Sequence, residues 1–314
     1  MKNKTHIKHT QQPMISVIIP VFNGAEYLEE TVSSALNGAY KRFEILLIDD
    51  GSTDHSTKIC KQLSKRYKKV RFYSFSKNKG LGRVLNFALQ KAKGKYICRI
   101  NQDDRMYRFR LKTQVDFLEK NKDVVAVGSY IRQFTPQGAT RIITYLEEDE
   151  DIKKIWHIVS PFADPSVMYK KSVALKVGGY DQSFWPADDT HLWYRMGMAG
   201  KLANIPKPLV EVRWHENAAS LKYFRKLALS TLKMHLWADE NIQKASLSIK
   251  AFWMIQFIAG MTLPPQFNWH VYRILKRVLY ISYVSRRLLE RYVKAIKRLA
   301  SVIPHPKRFS LSGA

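Results

Sequence analysis

The sequence predicts an α/β protein built on a mostly parallel central sheet flanked by helices, followed by a helical, basic C-terminal extension. Three observations support this prediction. Short apolar runs rich in β-branched residues alternate with segments of helical periodicity through the first half of the chain. The links between them are short, as in sheets covered by helices on both faces. The composition, 46% hydrophobic and 25% charged over 314 residues, is globular and allows one large domain with an appendage.

Strands and helices alternate in order along the first hundred residues. The run ISVIIPV predicts a strand because β-branched residues dominate a short, unbroken apolar segment. After the second strand, a helix is expected to begin near Ser52–Asp54, whose side chains suit the cap position. The predicted strands cover 15–21, 43–49, 70–75 and 95–100, and the other predicted helices cover 25–37 and 82–92.

The second half of the chain is less regular. Two further strands are predicted at 124–130 and 140–146, and an acidic helix start follows at 147–159. A mixed region extends to about residue 221, and beyond it the pattern is helical, basic and rich in Trp and Tyr. We therefore expect three regions: a polar N-terminal tail over 1–13, a main α/β domain over 14–221, and a helical C-terminal region over 222–314.

Polar residues cluster at the points where three of the predicted strands end. These are Pro20–Asn23, Asp49–Asp50 and Asn101–Asp104. In parallel sheets, ligands bind in the crevice at the carboxyl ends of the strands. Three such ends pointing at one crevice define a candidate site.

The adjacent carboxylates of Asp103 and Asp104 need compensation, because they repel each other and lose hydration when partly buried. One compensation is a divalent cation. Mg²⁺ or Mn²⁺ takes oxygen ligands and commonly binds through one or two carboxylates plus substrate phosphates. The alternative is salt bridging within the chain, and three arginines follow closely: Arg105, Arg108 and Arg110.

Two other stretches also have two possible roles. A carboxylate at Asp49 or Asp50 can accept hydrogen bonds from a nucleobase or ribose, although a turn with a helix cap needs the same residues. Gly80 and Gly82 permit a close backbone approach at a helix N-terminus, where phosphate is favoured, but glycines there also serve simple turns.

Five stretches occur in order with consistent spacing and together resemble the inverting glycosyltransferases of family 2, which have the GT-A nucleotide-diphospho-sugar transferase fold. The resemblance covers residues 14–220, and it implies that this is the catalytic domain. The stretches are ISVIIPVFNGAEYLEETVSSAL, FEILLIDDGSTDHS, NKGLGRVLNFAL, YICRINQDDRM and VGGYDQSFWPADDTHLWYRM.

Carried over position by position, the resemblance implies a donor site for a nucleotide-diphosphate sugar, most often a UDP-sugar. Asp49 or Asp50 would contact the base, and Asp104, more than Asp103, would bind Mn²⁺ or Mg²⁺. His215 matches a histidine that sometimes completes the metal or diphosphate site, although it could equally be a surface residue beside Glu216. The remaining donor-side positions are Pro20, Asn23, Glu26, Gly80, Arg83 and Asn101.

The acceptor side of the implied site centres on Asp189, which matches the family's catalytic base. That base would deprotonate an acceptor hydroxyl, which attacks the anomeric carbon in one inverting displacement without a covalent intermediate. Asp188 stands where a glutamate often precedes the base, on the acceptor side. Tyr180 and Trp185 could stack on an acceptor sugar, or they could simply pack in the core.

The chain departs from the family pattern at three positions. Asn101 stands where many members have aspartate, so it adds no charge and metal affinity could be lower. Leu85 stands where many members have arginine, a role that Arg83 could take over. Asp164 occupies a place often held by histidine. None of these removes the acidic pair or the base.

The charge is concentrated toward the C-terminus. The formal net charge is +27, and residues 222–314 hold 17 Lys and Arg against 3 Asp and Glu, a net +14. Residues 271–303 fit a helix with one apolar and one basic stripe, a pattern typical of binding to a membrane surface. Packing of the apolar stripe on the catalytic domain is the alternative. A membrane-bound enzyme suits a saccharide acceptor linked to a polyprenyl diphosphate, as in assembly of O-antigen-like or capsule-like polysaccharide.

Cellular location is predicted to be cytoplasmic, peripheral on the inner face of the plasma membrane. The polar N-terminus has no apolar core like that of a signal peptide, and the two cysteines, Cys60 and Cys98, suit a reducing compartment. The apolar stretch 251–263 is shorter than the roughly 20 residues that a spanning helix needs.

Two other functional classes remain possible from the residues alone. A nucleotidyltransferase would need a basic, Gly-rich loop after the first strand to grip a triphosphate, and VFNGAEYLEE is acidic there. A nucleic-acid-binding protein is suggested by charge, but the sequence carries no recognisable binding motif and the candidate site is acidic.

Overall fold

A computed structural model describes residues 12–135, 137–214 and 222–264, together with residues 267 and 274. The chain divides into two compact units, Met1–Thr262 and Leu263–Ala314. All elements named below belong to the first unit. Most of the predicted amphipathic segment 271–303 and the predicted ligand His215 lie outside the described residues.

The described elements alternate between strands and helices as the sequence predicts. The strands are β1 Ile15–Val21, β2 Phe43–Asp49, β3 Val70–Ser74, β4 Tyr96–Arg99, β5 Arg105–Met106, β6 Val124–Phe134, β7 Thr140–Ile143, β8 Met168–Lys170 and β9 Lys201–Arg213. The helices are α1 Leu28–Leu36, α2 Ser56–Arg66, α3 Leu81–Lys91, α4 Arg110–Lys120, α5 Asp149–Ile155, α6 Lys171–Lys176, α7 Asp188–Ala199, α8 Phe224–Asn241 and α9 Leu247–Thr262. Short 3-10 helices cover Asp164–Ser166 and Gln182–Phe184.

The sheet runs in the order β3-β2-β1-β4-β8-β6-β9-β5, with β7 beside β6. The first four strands are parallel, as are β6 and β9. Strand β8 joins these two parts by antiparallel pairing to both β4 and β6. The prediction of an α/β fold with a mostly parallel sheet is confirmed, with antiparallel strands added at β5, β7 and β8.

The core lies on both faces of the parallel strands, which explains why β1 and β2 are apolar without interruption. One face of these strands, including Val17 and Ile45, packs in a cluster with residues of α1 and α2. The opposite face, including Ile18 and Leu46, packs in a second cluster with α3. Burial on two sides is typical of parallel strands covered by helices, and it holds their carboxyl ends in fixed positions at one edge.

Helix α2 begins later than predicted, at Ser56. Ser52 and Asp54 instead fasten the preceding loop, because their side chains accept hydrogen bonds from the backbone N–H groups of Asn23 and Ala25 at 3.0 and 3.1 Å. Asp54 also accepts from the Ser56 N–H at 2.9 Å. The polar residues therefore join two loops at the sheet edge as well as preceding a helix.

Helices α8 and α9 belong to the same compact unit as the sheet, so the structure divides the chain after Thr262 and not at the predicted boundary after residue 221. Phe252 and Trp253 on α9 are buried, and the Trp253 indole donates to the His157 carbonyl at 2.7 Å. Packing on the catalytic domain, one of the two alternatives weighed for the C-terminal region, therefore holds for these two helices. Within the described part of the chain, every helix is too short or too polar to cross a bilayer.

Candidate active site

The loops that follow β1, β2 and β4 meet at one edge of the sheet, as the strand order requires. Val21 at the end of β1 is in register with Asp49 at the end of β2, and Ile18 is in register with Arg99 of β4. The Asp50 N–H donates to the Val21 carbonyl at 2.8 Å, which continues the pairing into the loops. The three predicted polar clusters are thereby brought together.

Asn23 holds the β1 loop against the β2 loop and remains exposed. Its backbone has a φ of +49°, a left-handed conformation that asparagine tolerates better than most residues. Its Oδ1 accepts from the Thr53 N–H at 2.8 Å. Pro20 lies in β1 and pairs with Ile48, whereas Glu26 is exposed just before α1. Asn23 and Glu26 are therefore accessible at the edge where a nucleotide would bind.

Asp49 is buried and fully occupied by protein donors. Its Oδ1 accepts from the Ser52 N–H at 3.1 Å, and its Oδ2 accepts from the Thr57 and Ser74 hydroxyls at 2.6 and 3.2 Å. The carboxylate thus shapes the turn after β2, as the turn-and-cap alternative proposed. Contact with a nucleobase stays a prediction for this residue.

Asp50 joins the turn after β2 to the start of α3. Its two oxygens accept from the backbone N–H groups of Lys79 and Gly80 at 2.7 and 3.0 Å. Burial raises the pKa of Asp50 although these two donors oppose the effect. The Gly80 amide is therefore already paired and is not left for a phosphate, which corrects the expectation for that residue. Arg83 is exposed on the first turn of α3.

Gly51 makes this joint possible. Its φ is +71°, and a Cβ at this position would come within 2.6 to 2.8 Å of the Lys77–Asn78 backbone. A side chain would therefore meet both a conformational and a steric penalty. The turn needs glycine so that the β2 and α3 loops can lie against each other.

Asp104 is buried and held by two hydrogen bonds. Its Oδ1 accepts from the Arg213 backbone N–H and its Oδ2 from the Asn101 amide, both at 2.9 Å. The Arg213 Nε donates to the Asp103 carbonyl at 3.1 Å, so the end of β9 clasps the acidic pair. Burial, followed by the charge of Asp103, raises the pKa of Asp104 to about 7. An uncompensated negative charge is thus disfavoured there.

Two of the three arginines weighed as salt-bridge partners are engaged elsewhere. Arg105 pairs with Glu30 and Glu211 at 3.1 and 3.3 Å. Arg110 is fully buried, where its Nε donates to Gln114 at 3.1 Å and its Nη2 to a backbone carbonyl. The observed contacts of these two residues therefore favour a different compensation for the acidic pair.

The acidic pair fits a hard divalent cation by its donor chemistry. A carboxylate oxygen that accepts one hydrogen bond keeps a lone pair, so Asp104 can still ligate. Within the described ranges, no three His, Cys, Asp or Glu side chains gather as metal ligands. This is compatible with Mg²⁺ or Mn²⁺, which commonly use one or two protein carboxylates and complete their shell with water and phosphate oxygens.

Arg99 lies behind the acidic edge and links its two halves. The guanidinium is buried, with Nη2 donating to the Asn101 Oδ1 at 2.8 Å and Nε lying 3.3 Å from an oxygen of Asp164. Asn101 therefore bridges Arg99 and Asp104 with the two ends of its amide. Asp164 supplies the carboxylate that a buried guanidinium requires.

The predicted base lies in the first turn of α7. Asp189 accepts from the Thr190 N–H at 2.6 Å. Burial raises the pKa of Asp189 to about 8, with further contributions from the charges of Asp164 and Asp188. Burial likewise raises the pKa of Asp188 to about 7, and its Oδ2 has no hydrogen-bond partner among the described residues. Asp189 thus has the proton affinity of an effective general base near neutral pH.

The two predicted acceptor-stacking aromatics differ in position. Tyr180 is 3% exposed and packs in the core against Trp193, so it has no free face for a sugar. The prediction that Tyr180 stacks on the acceptor is wrong for this structure, and core packing, its alternative, is correct. Trp185 is half-buried beside Tyr223, with a centroid distance of 4.8 Å.

Gln102 and Arg213 are functional residues that sequence reasoning missed. The Gln102 amide accepts from the Phe22 N–H at 2.8 Å and donates to the Phe22 carbonyl at 3.0 Å, which joins the β4 and β1 loops. Nothing in the sequence marks a glutamine for such a bond. Arg213 lies two positions before His215, in a stretch noted only for that histidine.

Replacing Arg213 with alanine is expected to lower kcat/KM about 10- to 100-fold, the usual effect of losing a group that orients metal ligands. The variant loses the bond to the Asp103 carbonyl, so the acidic pair is held less firmly. Arg105→Ala is a matched control, because both arginines contact Glu30 and lie over the Phe134 ring. Equal losses in the two variants would contradict a specific role for Arg213.

Asp188→Asn is expected to gain stability relative to the wild type as the pH rises from 5 to 8. A carboxyl whose folded-state pKa is about 7, above its ordinary 3.8, stabilises the fold below pH 4, and that contribution is lost by about pH 7. The three-unit shift corresponds to at most about 4 kcal/mol. Denaturant unfolding without metal at several pH values measures the gap. A gap that does not change with pH would contradict the buried charge.

Comparison with known proteins agrees with this architecture. The glycosyl transferase family 2 pattern matches residues 16–178, about half of the chain. An uncharacterized glycosyltransferase of Haemophilus influenzae is 28% identical over 87% of this chain and 86% of its own length. The Escherichia coli UDP-Gal:alpha-D-GlcNAc-diphosphoundecaprenol beta-1,3-galactosyltransferase is 27% identical over 85% of this chain and 98% of its own.

Solved structures share the fold at lower identity. A mannosyltransferase from Pyrobaculum calidifontis, solved with GDP-Man and Mn²⁺, gives a TM-score of 0.58 at 19% identity, covering 94% of this chain and 89% of that one. Staphylococcus aureus TarS 1-349, solved with UDP-GlcNAc, gives 0.57 at 16% identity, covering 79% and 81%. The fold is the GT-A fold, and the extent of the family match shows that this chain belongs to glycosyl transferase family 2.

Proposed function

We propose that this glycosyltransferase moves a sugar from a UDP-sugar to a saccharide linked to a polyprenyl diphosphate, with inversion, in assembly of a cell-surface polysaccharide. One observation carries the proposal. The buried Asp104 and the basic carboxyl of Asp189 lie on two sides of Arg99, which contacts Asn101 toward Asp104 and Asp164 toward Asp189. The E. coli relative uses a UDP-sugar and a lipid-diphosphate acceptor, as its name states.

The protein's own part in the reaction is to position the donor and to accept a proton. Asp189 takes the proton of the acceptor hydroxyl as that oxygen attacks the anomeric carbon, and its raised pKa makes the transfer favourable. Asp104 and Asp103, with His215 as a further candidate, would hold Mg²⁺ or Mn²⁺, which when bound neutralises charge on the departing diphosphate. A single displacement inverts the anomeric configuration.

The donor nucleotide is proposed to lie along the loops after β1 and β2. Asn23 and Glu26 are exposed there, and the Asp49–Asp50 turn forms the floor. Arg83, exposed on the first turn of α3, is the proposed contact for a diphosphate oxygen. Solved neighbours hold either UDP- or GDP-sugars, so the donor test must include both.

Peripheral binding to the cytoplasmic membrane surface is proposed for the C-terminal region. One side of α9 is buried through Phe252 and Trp253, while its other side exposes Met254, Ile255 and Ile258 by 46 to 54%. Such a face, followed by the basic segment 271–303, is suited to the interface of an anionic bilayer.

The proposed function is tested by incubating the protein with Mn²⁺, a polyprenyl-diphosphate monosaccharide, and UDP- or GDP-sugars one at a time. Release of nucleoside diphosphate identifies the donor, and NMR of the product gives the anomeric configuration. We expect a UDP-α-sugar to give a β-linked product. Retention of configuration would overturn the mechanism, and transfer from GDP-sugars alone would overturn the donor assignment.

A further inference from the structure

An apolar groove lies on the exposed side of α8. It is shallow, has a volume of about 360 Å³, and is lined mainly by Leu229, Leu232, Leu236, Trp237 and Phe184. Leu229 and Leu236 are 55% and 49% exposed although both are large and apolar. The volume is in the lower part of the range for small-molecule sites, roughly 300–1,000 Å³.

The groove is fastened to the loop that leads into the catalytic base. The Ser230 hydroxyl on α8 donates to the Trp185 carbonyl at 2.8 Å, and the Lys233 ammonium donates to the Ser183 carbonyl at 2.9 Å. Phe184, which forms part of the groove, stacks on His191 of α7 with a centroid distance of 3.8 Å. The groove and the helix that carries Asp189 are therefore parts of one packed assembly.

Cations surround the end of the groove that lies nearest this loop. Lys226 lies 4.2 Å from the Trp185 ring centroid, and Lys233 lies 4.5 Å from the Phe184 ring centroid. Residues 222–238 contain four Lys or Arg and no Asp or Glu. An occupant that matches this surface has an apolar chain and an anionic head that is directed toward the base.

We propose that the groove binds the lipid part of the acceptor, a polyprenyl diphosphate. The isoprenoid chain lies against Leu229, Leu232 and Leu236, and the diphosphate lies at Lys226 and Lys233, which leaves the attached saccharide on the Asp189 side. This inference rests on the proposed function and adds a binding site to it. Burial of the chain's first isoprenoid units supplies affinity, and the lysines supply orientation.

Binding is measured directly, so that it does not depend on observing transfer. The full chain is titrated with farnesyl diphosphate by calorimetry in the presence of Mn²⁺ and saturating UDP, which fill the donor site. We expect saturable binding that weakens at least about tenfold in the Leu232→Ser/Leu236→Ser double variant, since tenfold corresponds to about two buried CH₂ groups. Lys226→Gln is expected to weaken farnesyl diphosphate but not farnesol.

Leu175→Ser provides the matched control, because Leu175 is also exposed, by 39%, but lies on α6. Its affinity for farnesyl diphosphate should equal that of the wild type. Equal affinity in the wild type and in the α8 double variant would overturn the groove assignment. Leucine-dependent binding to phosphatidylglycerol vesicles without binding of free farnesyl diphosphate would also overturn it, in favour of a membrane contact. Failure of UDP itself to bind would count against the proposed function, independently of the groove.

Discussion

Replacing Asp189 with asparagine is expected to lower kcat for sugar transfer by about 10²- to 10⁴-fold, the usual contribution of a positioned general base. Asparagine keeps the size of the side chain and an oxygen that can accept from the Thr190 N–H. It cannot accept the proton of the acceptor hydroxyl. The loss should therefore be in kcat, and it is measured by initial rates with saturating donor and acceptor.

Asp181→Asn is the control for this experiment, since Asp181 lies in the same segment before α7 and accepts from the Ser183 N–H at 2.9 Å. We expect nearly normal transfer from it. UDP affinity should be unchanged in Asp189→Asn, because the base does not contact the nucleotide in the proposed arrangement. Wild-type kcat in a folded Asp189→Asn protein would remove this residue from the role of base.

Replacing Asp104 with asparagine is expected to abolish metal-dependent donor binding and to lower kcat/KM by more than about 100-fold. Changes to groups that merely support metal ligands commonly cost 10- to 100-fold, and a ligand should cost more. The variant should remain folded at pH 8, because the change removes a buried charge whose pKa is already raised. Mn²⁺ binding in the presence of UDP is followed by electron paramagnetic resonance.

Asp116→Asn is the control for the metal experiment, because Asp116 is an exposed carboxylate that pairs only locally with Lys112 on α4 among the described contacts. It should bind Mn²⁺ and UDP like the wild type. Thermal unfolding of each variant, without metal, separates a lost ligand from a lost fold. If Asp104→Asn bound Mn²⁺ and UDP normally, the cation would have to lie elsewhere.

The parallel half of the fold was predictable because its strands are buried on both faces. Strands such as β1 and β2 then appear as short, unbroken apolar runs, and a run of this kind between helical patterns has few other interpretations. The site followed from the same logic, since the polar residues after parallel strands must meet at one edge. The positions of Asn23, Asp50 and Asp104 are all explained in this way.

Strand β9 escaped prediction because it contains Pro206 and Pro208, and proline interrupts the hydrogen bonding of a strand. The structure accommodates them at an irregularity, where the register with β6 shifts after Ser129. Missing β9 also meant missing Arg213 at its end, whose backbone N–H bonds to Asp104. A contact between residues more than one hundred positions apart leaves no local pattern in the sequence.

Other details of the site depend on side-chain packing that one sequence does not encode locally. Asn101 was expected to weaken the metal site through its missing charge, yet the structure uses its amide to join Arg99 to Asp104. Tyr180 and Trp185 lie in the same short aromatic segment, and only the structure distinguishes the buried ring from the half-buried one. Membership of the family also leaves the nucleotidyltransferase and nucleic-acid-binding alternatives without support.

The central claim is that the acidic edge of this sheet binds a nucleotide diphosphate through a divalent cation. Calorimetric titration of the wild-type protein with UDP, once with Mn²⁺ and once with EDTA, tests it most directly. The account predicts saturable binding with Mn²⁺ and an affinity at least about tenfold lower with EDTA, a difference of about 1.4 kcal/mol or more. Equal affinity under both conditions, or no binding by a demonstrably folded protein, would contradict it.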